Sequence, residues 1–302
     1  MYRAWRASRP RSDRLVLSSL RRRYGQLFST DSDQIAFFDG DIVVDLDDPR
    51  YTEREIELLS RPNVRAYVVT GHRAAELFRE AGVTTPAEIV PNGVDLATVT
   101  PERVEEVAAA HRHPGTLVVG YLSSWLLTKG DRGGERPTAN VDHLFELWDE
   151  IHAAVPEAEL WLIGTMSRAV TAECARRPSI RALGRIPPAR VLPYVANFDV
   201  ALYPRTADHG PGIRAMKISE YVATGVPTVA YDYEATALVR EAGAGTLVQT
   251  GPEFVAATCA LLRDPAKRAV MSDRGRAAGA ALSWDVLARR SEEILDRYLP
   301  PG

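Results

Sequence analysis

Lysine is nearly missing from this chain. Of its 37 basic residues only Lys129, Lys217 and Lys267 are lysines. Arginine therefore carries the ordinary surface work, and a lysine inside a patterned segment stands out. Cysteine is as sparse. Cys174 and Cys259 lie far apart within helical patterns, which excludes a disulfide framework and fits reduced core thiols in a cytoplasmic protein. No apolar run reaches the length of a membrane span, and the N-terminus lacks the apolar centre of a signal peptide. The net charge of −3 gives no reason to expect a nucleic-acid partner. What remains is a chain of 302 residues, 45% apolar, long enough for two ordinary domains.

The first 23 residues break the charge balance. Arg3, Arg6, Arg9, Arg11, Arg14 and Arg21 to Arg23 surround Leu15, Val16, Leu17 and Leu20. A basic amphipathic helix on an anionic membrane surface is one reading. A solvated helix face or frayed end is the plainer one, and the one favoured here.

From residue 34 onward, short apolar strands alternate with amphipathic helices. Strands are predicted at 42–45, 64–70 and 87–90, with helices at 52–59 and 73–80. Thr52 and Glu55 are spaced as a capping box. The polar stretch 95–115, bracketed by Pro101 and Pro114, is read as the domain boundary. A second alternation follows, with strands at 116–122, 159–163, 180–183, 198–203, 227–231 and 245–248. Its helices fall at 140–154, 187–196, 212–224, 234–242, 252–263 and 265–279. Such alternation predicts parallel sheets with helical crossovers, in an α/β fold of two Rossmann-like domains facing a cleft. The expected division is 1–110, a short N-terminal domain; 111–282, the C-terminal domain; and 283–302, a helix returning to the first. Ligands in such sheets bind beyond the carboxyl ends of the strands.

The most informative segment runs from Gly210 to Asp232. Gly210-Pro-Gly-Ile213 reads as a turn entering a helix that closes at Gly225. On that helix Lys217 and Glu220 are three residues apart and share a side, with Arg214 one step off it. An exposed Lys–Glu pair of this kind is usually a weak surface contact. Its place directly after the strand Val200-Ala-Leu-Tyr-Pro204 favours a site instead. The backbone N–H groups at Gly212 and Ile213, with Lys217, suit phosphate, and the Glu220 carboxylate suits ribose hydroxyls.

On these residues the chain resembles, over 41–299, the GT-B glycosyltransferases, in particular the large retaining family that uses nucleotide sugars (glycosyl transferases group 1 type). Val90-Pro-Asn-Gly-Val-Asp95 matches the end of that family's N-terminal domain. Leu183-Gly-Arg-Ile-Pro187, Leu192-Pro-Tyr-Val-Ala196, Asp199-Val-Ala-Leu-Tyr-Pro204 and Lys217-Ile-Ser-Glu-Tyr-Val-Ala-Thr-Gly-Val-Pro-Thr-Val229 match its C-terminal domain in order. Ser283-Trp-Asp-Val-Leu-Ala288 resembles the last helix, which braces the first domain. The resemblance implies that Glu220 holds the nucleotide ribose and that Lys217 meets the diphosphate. It implies that Arg185 and Ile186 border the base, and that Lys129 reaches phosphate, though extra residues before the following helix leave plain loop as an equal reading.

Three departures from that family pattern stand out. Gly212 occupies the place of a second family glutamate, with Asp208 and His209 as nearby substitutes. The N-terminal half is short, its usual first strand is not evident, and the loop 123–138 is unusual. Elsewhere, Asp45-Leu-Asp-Asp48 is read as strand-end capping and acceptor-site lining in preference to a metal site. His72, at a helix start, is a candidate for meeting acceptor or sugar against a structural role. Trp125 is open between bordering the sugar and packing.

The resulting expectation is a cytoplasmic, metal-independent glycosyltransferase moving a sugar, with retention, from a nucleotide-diphosphate donor to an unidentified acceptor. UDP or GDP is the expected nucleotide, with no separate cofactor. Lys217, Arg214 and His72 are the catalytic candidates. The alternatives are a degenerate nucleotide-sugar-binding subunit and a GT-B sugar-nucleotide epimerase. Peripheral membrane contact is a minor option.

Overall fold

The computed structural model describes residues 25–133, 141–205 and 214–299. The basic segment 1–23 and the turn 210–213 lie outside the described residues. The chain forms two compact units, one drawn from residues 1–92, 210–214 and 287–302 and the other from 93–209 and 215–286.

The first unit holds a four-stranded parallel sheet in the order β1-β2-β3-β4: β1 (Gln26–Ser29), β2 (Asp41–Leu46), β3 (Val64–Val69) and β4 (Ala87–Ile89). The edge strand β1 escaped the sequence pattern, being only four residues with a half-exposed Phe28. One face of this sheet buries Ile42, Val44, Tyr67 and Val69 against α1 (Glu53–Leu59) and α2 (His72–Glu80). The other face, Val43, Ala66 and Val68, is covered by Ile294 of α11 (Trp284–Tyr298). This alternation is the period-two signature of a strand buried on both sides. The end of α11 is pinned by Arg297 Nη1 and Tyr298 Oη donating to the Glu88 carboxylate, at 2.7 and 3.0 Å.

The second unit carries six parallel strands in the order β10-β9-β8-β5-β6-β7: β5 (Leu117–Leu126), β6 (Ala158–Met166), β7 (Ile180–Gly184), β8 (Val200–Tyr203), β9 (Thr228–Tyr231) and β10 (Gly245–Val248). The strands match the predicted ladder within a few residues. Helices α4 (Asp142–Ala154), α5 (Arg168–Ala175), α6 (Pro188–Val195), α7 (Met216–Ala223), α8 (Ala237–Glu241), α9 (Gly251–Arg263) and α10 (Pro265–Gly279) cover both faces. The sequence pattern missed α5. It also hid α3 (Pro101–His111) inside the polar stretch read as a boundary. Thr100 caps α3 by accepting from the Arg103 N–H, and Pro101 stands at its first turn, where a missing N–H costs nothing. The side-chain amide of Asn197 donates to the Val104 carbonyl at 3.0 Å, tying α3 to the second unit.

The helix α7 needs a correction. It starts at Met216, four residues later than predicted, because its cap Ala215 has an extended backbone (ψ 114°). Gly212 and Ile213, expected to offer amides to phosphate, lie outside the described residues. The far end is as predicted. Gly225 at φ +76° takes the left-handed conformation that glycine tolerates, and Val226 N–H returns to the Tyr221 carbonyl at 2.8 Å. Ile218, Tyr221 and Val222 bury the inner face, and the Leu122 N–H donates to Tyr221 Oη at 3.1 Å, fixing α7 against β5.

Candidate functional site

With Tyr221 docked on the sheet, Lys217 and Glu220 fall on the flank of α7 that borders the carboxyl ends of β5 and β8. The Lys217 ammonium lies 4.8 Å from the Tyr121 ring centroid and 5.5 Å from that of Tyr203. Tyr121 is on β5 and Tyr203 ends β8, so two strands and one helix converge on a single cation. Aromatic faces attract an ammonium, but they do not neutralise it.

A second cation joins it. Arg205, two residues after β8, is 9% exposed, and its Nε–H has no hydrogen-bond partner among the described residues. Burial lowers the Arg205 pKa, yet a guanidinium stays charged near neutrality. Burial first, and Arg205 second, bring Lys217 down to about 7. Glu220 is pushed up to about 7 by burial, with Lys217 opposing. Among the described residues neither Arg205 nor Lys217 makes an ion pair within 4.0 Å. Two like charges partly withdrawn from water without an anion repel each other and cost stability. An arrangement of this kind is relieved by a bound anion.

Arg205 was not among the residues singled out from the sequence. One arginine among 34 has no signature of its own, and its only clue was its place just beyond a strand end. Arg214 sits differently from expectation. It belongs to the first unit, where its side chain passes Gly71 so closely that a Cβ there would lie 3.1 Å from Arg214 Nε. Gly71 caps α2, whose first residue is the exposed His72. The structure thus places Arg214 beside the start of α2, and Lys217, Glu220 and Arg205 together in the second unit.

The other candidates sit on other elements. Arg185 is exposed and Ile186 half-buried in the loop between β7 and α6. Lys129 is exposed, and its backbone N–H donates to Asp142 at 2.9 Å. Its loop is tied by Asp131, whose carboxylate accepts from the Thr128 N–H and hydroxyl and from Ser167 Oγ, at 2.8, 2.9 and 2.6 Å. Trp125 is 60% exposed past a bulge in β5. None of Asp45, Asp47 and Asp48 caps a helix. Thr52 caps α1 by accepting from the Glu55 N–H, which corrects the capping role expected for the aspartates. A groove of about 500 Å³ between α4 and α5 includes Phe145, Glu173 and Arg177 but none of the candidate residues. Its Arg177 is already paired with Asp149 and Glu173.

The same arrangement of strands and helices occurs in solved structures. HepE from Anabaena, determined in complex with UDP and glucose, superposes with a TM-score of 0.72 over 94% of this chain and 81% of its own, at 17% identity. The fold is that of the GT-B glycosyltransferases. Sucrose-phosphate synthase from Thermosynechococcus elongatus matches with a TM-score of 0.69 at 16% identity, covering 91% of this chain and 73% of its own. The trehalose 6-phosphate synthase of Burkholderia multivorans matches with 0.69 at 13% identity, covering 95% and 74%. The family profile of glycosyl transferases group 1 matches residues 132–264, which include Arg205, Lys217 and Glu220. No curated protein sequence matches the chain. The expected GT-B fold is thus borne out, and the group 1 profile covers 133 of the 302 residues. Among the described residues no helix is long and apolar enough to cross a membrane.

Proposed function

We propose that this GT-B protein transfers a sugar from a nucleotide-diphosphate donor to an acceptor hydroxyl. The observation that carries the reading is that buried Arg205 and half-buried Lys217 have no ion-pair partner among the described residues, with the Glu220 carboxylate one helical turn beyond Lys217. A diphosphate supplies the two negative charges that this pair lacks. Glu220 then accepts from the ribose hydroxyls, and Arg185 and Ile186 border the base. Lys129 is a further candidate cation for the phosphates, and Arg214 and His72 are the remaining catalytic candidates. UDP is the first nucleotide to test, since HepE was determined with UDP, and GDP is the second.

The chemistry asked of these residues is electrostatic. As the bond between the anomeric carbon and the phosphate oxygen breaks, negative charge grows on the leaving diphosphate, and preplaced cations stabilise it. Two such cations do the work a divalent metal would otherwise do, so the reaction proceeds without one. The acceptor oxygen forms the new bond on the same face, its proton passing to the departing phosphate, and the configuration is retained. The protein contributes chiefly positioning. We place the reaction in the cytoplasm.

A second reading, a nucleotide-sugar-binding protein without turnover, is favoured by one observation: glycine at position 212, where the family carries a glutamate. Thermal-shift screening against UDP, GDP, ADP and TDP and their sugars, followed by donor turnover with and without acceptors, separates the two. Stabilisation by one nucleotide sugar with acceptor-dependent release of its nucleoside diphosphate supports transfer. Stabilisation without turnover supports the binding protein. Donor conversion with no acceptor present would point to epimerisation, and no stabilisation by any nucleotide would refute both of the first two.

A further inference from the structure

Two carboxylates near the carboxyl edge of the first sheet have opposite surroundings. Glu55 is 1% exposed and saturated. Its carboxylate accepts from Arg50 N–H at 2.7 Å, Tyr51 N–H at 2.9 Å and Ser32 Oγ at 2.8 Å. That bonding locks the loop after β2, where Tyr51 at φ +52° is the one non-glycine residue with positive φ among those described. Backbone strain of this kind persists only where the surroundings over-determine it, and it clusters near functional sites.

Asp45, ten residues earlier at the carboxyl end of β2, is the opposite case. It is half-buried, and among the described residues its carboxylate has no hydrogen bond and no ion pair. The charge acting on it is that of Asp47, another carboxylate. Burial first and Asp47 second push Asp45 up to about 6. A structural carboxylate is bonded like Glu55. One held without partners beside a braced loop is a cost with no structural return. The carboxyl edge of a parallel sheet is also where ligands of such folds bind.

Resting on the glycosyltransferase reading above, we propose that Asp45 anchors the acceptor, accepting hydrogen bonds from adjacent hydroxyls of a sugar or polyol. Hydroxyl donors fit better than a cation, because no group of three metal-ligating side chains exists among the described residues. A carboxylate's two oxygens match the spacing of vicinal hydroxyls and discriminate against acceptors that lack them.

The test uses the full chain, Asp45→Asn and Asp45→Glu, with the nucleotide sugar that the thermal-shift screen selects. Acceptor probes are glucose, N-acetylglucosamine, glucose 6-phosphate, methyl α-glucoside and glycerol. The expected result is transfer by the wild type to at least one of them. Asp45→Asn then lowers acceptor kcat/KM by about tenfold or more, mainly through KM, the size of a lost charge-assisted hydrogen bond. UDP affinity and the slow hydrolysis of the donor stay within about twofold, and Asp45→Glu recovers part of the acceptor KM. Unchanged acceptor kinetics in Asp45→Asn would overturn the assignment. So would a parallel loss of UDP affinity, transfer to none of the probes, or a Mn²⁺ requirement that disappears in Asp45→Asn. A wild type that binds no nucleotide at all would strike the donor-site reading instead.

Discussion

The Lys217 ammonium rests 4.8 Å from the centre of the Tyr121 ring, beside a second cation, Arg205, and no carboxylate among the described residues comes within ion-pair distance. Aromatic faces and a like charge leave this lysine with a deficit of negative charge. The functional account follows from that deficit.

Removing the ammonium therefore separates phosphate recognition from base recognition. Lys217→Ala is expected to weaken UDP by about 1.5–3 kcal/mol, ten- to a hundredfold, while uridine binding stays the same. Titration calorimetry with both ligands checks it. Equal losses for UDP and uridine would remove Lys217 from the phosphates.

Arg205→Met tests the second cation. The guanidinium is nine-tenths buried with an unpaired Nε–H, so its removal should leave the empty protein as stable or more stable. UDP affinity should nevertheless fall at least about tenfold. Thermal melts without ligand and calorimetry with UDP give the two readings. A variant that melts lower and binds UDP normally would make Arg205 structural.

Glu220→Gln should act on the sugar of the nucleotide. Loss of a charge-assisted bond to the ribose predicts about a tenfold weaker UDP, with little change for a 2′,3′-dideoxy analogue. Loss of the same size for both would place Glu220 away from the ribose.

The two side chains also set a pH profile. Glu220 is raised to about 7, so below that it is protonated and loses the charge that strengthens its bonds to the ribose. Lys217 is lowered to about 7, so above that the empty site loses its charge and must regain a proton to hold phosphate. Affinity for UDP-glucose, whose diphosphate does not titrate in this range, is expected to peak near neutral pH and fall on both sides, by up to about tenfold per pH unit. A flat calorimetric profile from about pH 5.5 to about 8.5 would contradict both assignments.

Asp45 gives a stability prediction of its own. Its folded pKa of about 6 exceeds the ordinary 3.8. Whatever favours its protonated form is therefore fully present below about pH 4 and lost as pH rises through about 6. The interval corresponds to a ceiling of about 3 kcal/mol, which partial exposure reduces to ~1–2 kcal/mol. Asp45→Asn should thus match the wild type at pH 4 and melt higher at pH 7. Denaturant melts at the two pH values decide it, and a lower melting point at pH 7 would show a hidden bonding partner.

Much of the fold was legible because parallel strands buried on both faces are short apolar runs between amphipathic helices. Strands β2 to β10 could be read this way. Strand β1 could not, since four residues with an exposed Phe28 carry no pattern. Helix α3 was hidden by its polar face, of which Val107 is the one buried residue. The start of α7 was misplaced because a Gly-Pro-Gly turn is a good helix entry in sequence, whereas Ala215 is extended and the helix begins at Met216. Within the site, Lys217 was visible through scarcity and Glu220 through spacing. Arg205 was invisible for the converse reason, because only burial distinguishes one arginine from thirty-three others.

The most direct measurement is a crystal structure of the wild-type chain grown with UDP. The account predicts diphosphate oxygens within hydrogen-bond distance of Arg205 and Lys217, and a ribose hydroxyl on the Glu220 carboxylate. UDP bound elsewhere, with the Arg205 Nε–H still unpaired, would contradict it.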